Sequence, residues 1–301
     1  MSEGKKEILL GDCLELMKEL PDNGVDLILC DLPYGTTACK WDAIIPFDKL
    51  WEQYERVAKP NAPIVLTASQ PFTSALVMSK PKWFRHEWVW QKNRGSNFAL
   101  LKWQPFKEHE SVLVFSKETA NYYPIMEERS ESGKSRCAYT FNNKVTSETI
   151  NNQTFYNQDG ERRKLDENLR NPSSIQKFNT EVGLHPTQKP VALFEYLVKT
   201  YSKENDLVLD NCAGSGTTAI ACMNTNRQFI VMEQDPNYFE KIKKRVGDFN
   251  KNFEPKTLFD AQPEALHIAR VSGQVCEHPY HLVEERLNGK VKWCFNCNSE
   301  F

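Results

Sequence analysis

At 301 residues, with 40% hydrophobic side chains and a net charge of −2, the chain can build one large α/β domain with appendages or two domains, and its charge neither favours nor excludes a nucleic-acid partner. No apolar run approaches membrane-spanning length, and residues 1–6 lack the apolar core of a signal peptide, so a cytoplasmic protein with no membrane partner is expected. The nine Cys, an odd number scattered through apparent strands and helices, read as reduced thiols except at the C-terminal end.

Residues 7–10 form a short apolar strand leading into Gly11-Asp12-Cys13, after which Leu14, Leu16, Met17 and Leu20 share a helical face. Asp12 suits a helix N-cap, and it also reaches the sheet edge of the next strand if the two run parallel. That next strand is the apolar run 25–30, preceded by the turn Pro21-Asp22-Asn23-Gly24. It ends on Asp31-Leu32-Pro33-Tyr34-Gly35. The tetrapeptide 31–34 therefore stands at the carboxyl mouth of a buried strand, where open α/β sheets bind ligands. A carboxylate, the Leu32 carbonyl and an aromatic ring on one turned backbone can accept two hydrogen bonds from an exocyclic amine and stack on its ring.

Residues 50–57 read as an amphipathic helix stopped by Pro60, followed by a buried strand at 64–67 and a helix at 71–78. Strand composition returns at 87–91 and 111–115. Between them, the polar, Arg-bearing loop 93–98 either lines a base pocket or contacts phosphate, or is simply solvated. From 117 to 184 aliphatic runs vanish. That stretch is either poorly ordered or a recognition region using groups such as Tyr139, Phe155, Arg162, Arg163 and Lys164.

Order returns at His185-Pro186-Thr187-Gln188-Lys189-Pro190, with Pro190 suited to the first helical position and Phe194, Leu197, Val198 and Tyr201 on one face. A strand at 207–210 enters Asn211-Cys212-Ala213-Gly214-Ser215-Gly216-Thr217-Thr218 and a helix, and a further strand, 228–233, closes on Glu233. Such a Gly-x-Gly turn lets backbone approach a ligand and aims free amides at an anionic group. The third Gly of dinucleotide fingerprints is missing, so an adenosine cofactor bearing a carboxylate fits better, with Glu233 accepting from ribose hydroxyls.

Asp31-Leu32-Pro33-Tyr34 resembles the Asp-Pro-Pro-Tyr catalytic motif of S-adenosylmethionine-dependent DNA amino-methyltransferases, with Leu32 in place of the first Pro. The order of catalytic half, polar insertion and cofactor half is that of the β class, across about residues 7–246. The resemblance implies a Rossmann-like, seven-stranded mixed sheet in circularly permuted order, and seven candidate strands are present. It implies catalysis by Asp31, Leu32, Pro33 and Tyr34 on a DNA substrate, with Asp31 also bordering the S-adenosylmethionine cofactor. Asp12 and Cys13 match the stretch lining the cofactor's adenine, and Thr187 and Lys189 the motif at its methionine end. Asp210, Cys212, Ala213, Gly214, Gly216 and Thr217 match the cofactor turn, and Glu233 the ribose acid. Cys212 departs from the family's usual Phe, which removes an aromatic contact. Asp at the first motif position leans toward adenine-N6 rather than cytosine-N4 methylation. Similar tetrapeptides serve RNA bases and protein glutamine amides, and a non-catalytic DNA-binding protein is the alternative of another class. Many members dimerise, which leaves a homodimer open.

The expected domains are a methyltransferase domain at 1–246 (catalytic half 7–116, target-recognition insertion 117–184, cofactor half 185–246), a linker at 247–275 and a zinc ribbon at 276–301. Asn288-Gly289 between two strand-like runs predicts a two-residue hairpin pairing Leu287 with Lys290. In that register Cys276, His281 (or His278), Cys294 and Cys297 form a tetrahedral zinc set.

Overall fold

The computed structural model describes residues 5–36, 42–135, 168–181, 183, 188–249, 283–285, 292–294 and 299–300. Two compact units, residues 1–258 and 259–301, divide within the stretch expected to be a linker. Among the described residues no helix is long and apolar enough to cross a membrane.

The first unit is built on one mixed sheet. Its strands are β1 (Lys6–Leu10), β2 (Leu27–Cys30), β3 (Ile64–Ala68), β4 (Phe84–Gln91), β5 (His109–Phe115), β8 (Ile175–Lys177), β9 (Leu207–Asp210) and β10 (Gln228–Glu233). They lie in the order β1-β10-β9-β2-β3-β5-β4-β8, with β5 antiparallel to both neighbours. The chain leaves β2 toward β3 on one side and β9 toward β10 on the other, so the strand order reverses between the parallel neighbours β2 and β9. A ligand crevice is expected there. Both faces are covered at the centre of the sheet, which is why β2, β3, β9 and β10 read as nearly unbroken apolar runs. Leu27 and Leu29 pack with Phe194, Leu197, Val198 and Ile220 of α4 (Val191–Tyr201) and α5 (Thr217–Asn224), and with Ile242 of α6 (Pro236–Phe249). Ile28 and Cys30 face Met17 of α1 (Cys13–Lys18), Leu50 and Tyr54 of α2 (Phe47–Val57) and Phe72 of α3 (Phe72–Ser79). Each fully buried side chain of this size contributes roughly 1.5–3 kcal/mol.

Seven strands were expected, and among the described residues the sheet has eight. The additional strand, β8, comes from the polar stretch and pairs in parallel with the outer edge of β4, Val89 opposite Ile175 and Gln91 opposite Lys177. An edge strand is joined through its backbone, so it needs no aliphatic run to announce it. The same stretch contributes β6 (Glu127–Glu128) and β7 (Leu169–Arg170), an antiparallel pair tied by Arg170 and Glu127 at 2.7 Å. Pro190 is the N-cap of α4 rather than its first residue, and the first amide, Val191 N–H, donates to Glu181 Oε1 at 3.0 Å.

The second unit holds three antiparallel strands, β11 (Val283–Glu285), β12 (Lys292–Cys294) and β13 (Ser299–Glu300). Val283 opposes Cys294 and Glu285 opposes Lys292, and the turn expected at Asn288-Gly289, with Leu287 and Lys290, lies outside the described residues. Cys276, His281 and Cys297 lie outside the described residues, as does the side chain of Cys294. Tyr139, Phe155, Arg162, Arg163 and Lys164 lie outside them too.

Candidate active site

Asp31 leaves β2 directly at the reversal point, and three side chains converge on its carboxylate. Tyr34 Oη donates to Oδ1 at 2.8 Å, Thr67 Oγ1 donates to the same oxygen from the end of β3, and Lys189 Nζ donates to Oδ2 at 2.6 Å. Tyr34 stacks on Phe72 with ring centroids 5.1 Å apart, so one of its faces is already covered. The turn beyond is clamped by Asp42, whose oxygens accept from the Gly35 and Thr36 amides at 2.9 Å each. Gly35 has φ 67°, a conformation that favours glycine. Leu32 is buried among the residues below β2, and Pro33 lines the cavity above it.

Lys189 is 6% exposed and continues the network to Glu110 at 3.4 Å, which in turn pairs with Lys92. Burial opposes the charge on Lys189, yet Asp31 and Glu110 outweigh it and hold the ammonium above the usual lysine pKa. Burial likewise opposes ionised Glu110, and Lys189 and Lys92 overcome it, keeping its carboxyl below the ordinary value. Burial, then the neighbouring Asp31 charge, pushes the Tyr34 hydroxyl up and keeps it protonated.

The other half of the crevice is formed by the ends of β1, β9 and β10. Asp12 caps α1, accepting from Leu14 N–H at 2.8 Å, and still borders the cavity, so both roles anticipated for it coexist. Asp210 is buried and engaged within the turn: Oδ1 accepts from Cys212 N–H at 3.0 Å and Oδ2 from Thr218 Oγ1. Burial raises its pKa to about 6. Glu233 holds two turns together, accepting from Gly214 N–H at 2.8 Å and Asp235 N–H at 2.9 Å. Its pKa is raised by burial against those amides. Each of its oxygens takes one of these backbone donors and keeps acceptor capacity for a second. Gly216, at φ 76°, caps α5, and a Cβ there would come within 2.9 Å of Ile242.

The turn amides differ from expectation. Those of Cys212, Ala213, Gly214 and Gly216 donate to Asp210, Met232 O, Glu233 and Ala213 O, so they brace the turn instead of pointing freely at an anion. Thr217 is buried, and its hydroxyl donates to Lys189 O at 3.2 Å, joining the Gly turn to the Lys189 segment. Lys189, expected at the cofactor's methionine end, has its ammonium on Asp31 and Glu110 and also lines the cavity. Cys13 and Cys212 each lie 3.5 Å from Asn211 Nδ2, and burial pushes the Cys30 thiol up to about 12, which leaves it inert at neutral pH. Thr187 lies outside the described residues.

One cavity of about 800 Å³ joins the two halves, bordered by Asp12, Cys13, Gly214 and Glu233 at one end and by Asp31, Pro33, Tyr34 and Ser69 at the other. Its size suits two adjoining small ligands of ordinary dimensions. The open acceptors of Glu233 and the apolar wall at Cys13 and Cys212 fit a nucleoside with ribose hydroxyls. Thr67, Lys92, Glu110 and Asp42 were missed by sequence reasoning. The signal available for Lys92 and Glu110 was position, because one follows the end of β4 and the other stands near the start of its antiparallel neighbour β5, at one edge of the sheet. Among the described residues no group of three or more His, Cys, Asp or Glu is arranged to hold a metal ion.

A family model described as DNA methylase, covering N6 and N4 enzymes, matches residues 25–244. Type II methyltransferase M.HpaI of Haemophilus parainfluenzae is 26% identical over 265 residues, covering 81% of this chain and 76% of the relative. The crystal structure of the M1.HpyAVI–SAM complex superposes with a TM-score of 0.53 at 25% identity, over 79% of this chain and 98% of that one. The cytosine-N4-specific PvuII DNA methyltransferase shares the fold at 14% identity, with a TM-score of 0.56 over 83% of this chain and 89% of that one.

Proposed function

The chain belongs to the N6/N4 DNA methylase family, and from that premise we propose that it transfers a methyl group from S-adenosylmethionine to the N6 amine of adenine at a fixed sequence in duplex DNA. The observation that carries this reading is the position of Asp31-Leu32-Pro33-Tyr34. The motif opens into the same cavity as Glu233 and the Gly turn, with Asp31 fixed by Thr67 and Lys189.

S-adenosylmethionine supplies an electrophilic methyl group on a sulfonium. Glu233 would accept from its ribose hydroxyls, and Asp12, Cys13 and Cys212 would border its adenine. The target base must leave the stack, at about a few kcal/mol, of which stacking on Tyr34 returns roughly 1–3 kcal/mol. Oδ1 of Asp31 already has Tyr34 and Thr67 as donors, so the incoming amine takes the place of the Tyr34 hydroxyl. The Leu32 carbonyl accepts the amine's second N–H. Asp31 would then face the positive charge growing on nitrogen, with Lys189 and Glu110 keeping the carboxylate in place. Lys189 is thus a positioning residue. The methyl's bond to sulfur would break to leave a neutral thioether, and the nitrogen's surplus proton would pass to the Asp31 carboxylate or to water. The lean toward adenine rests on Asp at the first motif position.

The stretch 117–184 is proposed as the target-recognition region, since part of it forms the sheet edge beside β4. Residues 276–301 are proposed as a zinc ribbon on Cys276, His281, Cys294 and Cys297. Sequencing the modified bases of DNA from a methylation-free bacterial host expressing the chain tests the function. Modified adenine in one fixed sequence is expected. Modified cytosine alone would overturn the adenine assignment, and unmodified DNA the activity.

A further inference from the structure

The segment between β4 and β5 is a braced protrusion to which the chemistry at Asp31 assigns no role. Asn97 pins its neck from both sides, its Nδ2 donating to Pro105 O at 2.9 Å and its Oδ1 accepting from Lys107 N–H at 2.7 Å. Ser96 N–H donates to Lys107 O at 3.2 Å. Phe98 meets Phe106 edge-to-face with centroids 4.8 Å apart, and Gly95 is needed beneath them because a Cβ there would come within 2.6 Å of the Phe106 ring. Held in this way, the loop keeps Phe98 and Trp103 in the open, 69% and 73% exposed, with Leu101 also exposed.

A solvated loop has no need to hold large rings in water, and an exposed apolar tip of this kind marks a binding surface. Its neck, through Ser96, Asn97 and Lys107, forms part of the wall of the Asp31 cavity. Whatever touches the tip therefore lies next to whatever enters the cavity. Charge selects among partners. Residues 92–108 carry Lys92, Arg94, Lys102 and Lys107 against one acid, Glu108, and Lys102 Nζ lies 5.6 Å from the Trp103 ring centroid. Cations interleaved with aromatic rings suit a polyanion that contains stackable rings.

We propose that this loop is a wedge: Trp103, supported by Phe98 and Leu101, enters the base stack of duplex DNA beside the target nucleotide and fills the space it leaves. Arg94 and Lys102 contact the flanking phosphates. The inference rests on reading the chain as a DNA methyltransferase, and its test separates the two. Single-turnover methyl transfer is measured for the wild type, Trp103→Ala and Trp103→Phe on a duplex carrying the mapped target. The same measurement is made on that duplex with the target base opposite an abasic site, where it is already loosely stacked. Trp103→Ala should lose about tenfold or more on the intact duplex, stay within about twofold on the abasic one, and recover most of the loss as Trp103→Phe. An undiminished rate on the intact duplex, or the same loss on both substrates, would overturn the wedge. A wild type that methylates neither duplex fails the functional reading, and the wedge with it. If Trp103→Ala converts a sedimenting dimer to a monomer with transfer on the intact duplex unchanged, the tip joins two copies and the wedge is wrong.

Discussion

The two ends of the cavity fix their carboxylates by different means. On the side proposed for the cofactor, Asp210 and Glu233 are held by backbone amides and a threonine hydroxyl, and burial raises the pKa of both. On the side of Asp31, two buried lysines alternate with two carboxylates, and Glu110 is held below its ordinary pKa. A neutral cradle binds by shape and can be built from any turn that fits. A charged chain fixes one oxygen pair against displacement, which is what a group aimed at a single nitrogen needs, and removing any link leaves a buried charge without its partner.

Lys189→Met should therefore have the largest effect. It takes from Asp31 its only ion-pair partner among the described residues and leaves Glu110 with Lys92 alone, with an expected loss of about 3 kcal/mol or more in chemical denaturation and nearly all transfer activity. S-adenosylmethionine binding by calorimetry should stay within about threefold, the remaining part of the loss being in transfer. A loss of affinity above about tenfold would instead put Lys189 on the cofactor, and the contrast between the two ends would fail.

The neutral end should respond to pH. The folded-state pKa of Asp210 is raised to about 6. Its protonated form is favoured on folding, so this contribution is complete below about pH 4 and is lost as pH rises through about 6. Asp210→Asn does not titrate. The stability of wild type minus variant should fall by on the order of 2–3 kcal/mol between about pH 4 and pH 7, and a difference independent of pH would contradict the assignment.

Gly216→Ala probes the shape of the cradle without touching charge. With φ 76° and Ile242 2.9 Å from the new Cβ, the cost should be about 1–2 kcal/mol in the same denaturation assay. A variant as stable as wild type would show that the turn yields more readily than its contacts imply. The smallest effect is expected from the C-terminal unit. Zinc should be present near one equivalent by elemental analysis and absent from Cys294→Ser, while deleting residues 272–301 should leave the melting temperature of the remainder almost unmoved. Metal-free protein with an ordered C-terminal hairpin would refute the ribbon.

The sheet was legible wherever a strand is buried on both faces. Residues 25–30, 64–67, 207–210 and 228–233 announce themselves as short apolar runs bounded by turn residues, and Asp31 and Glu233 then fall at strand ends by position alone. β8 was not legible, because a strand joined only through its backbone carries no periodic signal. The partners of Asp31 were hidden for another reason. Thr67 and Lys189 meet it from 36 and 158 residues away, and the antiparallel pairing of β4 with β5 brings Lys92 to Glu110. A Gly-x-Gly spacing does not show whether the protein's own acceptors engage the turn amides, as Asp210 and Glu233 engage those of Cys212 and Gly214 and backbone carbonyls those of Ala213 and Gly216.

In the proposed division of the site, Asp31 acts on the acceptor amine while the other end of the cavity holds the cofactor. The direct test is Asp31→Ala, with Asp31→Asn as the isosteric control, measured for S-adenosylmethionine binding by calorimetry and for single-turnover transfer to target DNA. Binding should remain within about threefold of wild type while transfer falls below about a tenth, a loss above roughly 1.4 kcal/mol of transition-state stabilisation. Transfer retained above that level, or cofactor binding lost in parallel with it, would contradict the division of the site.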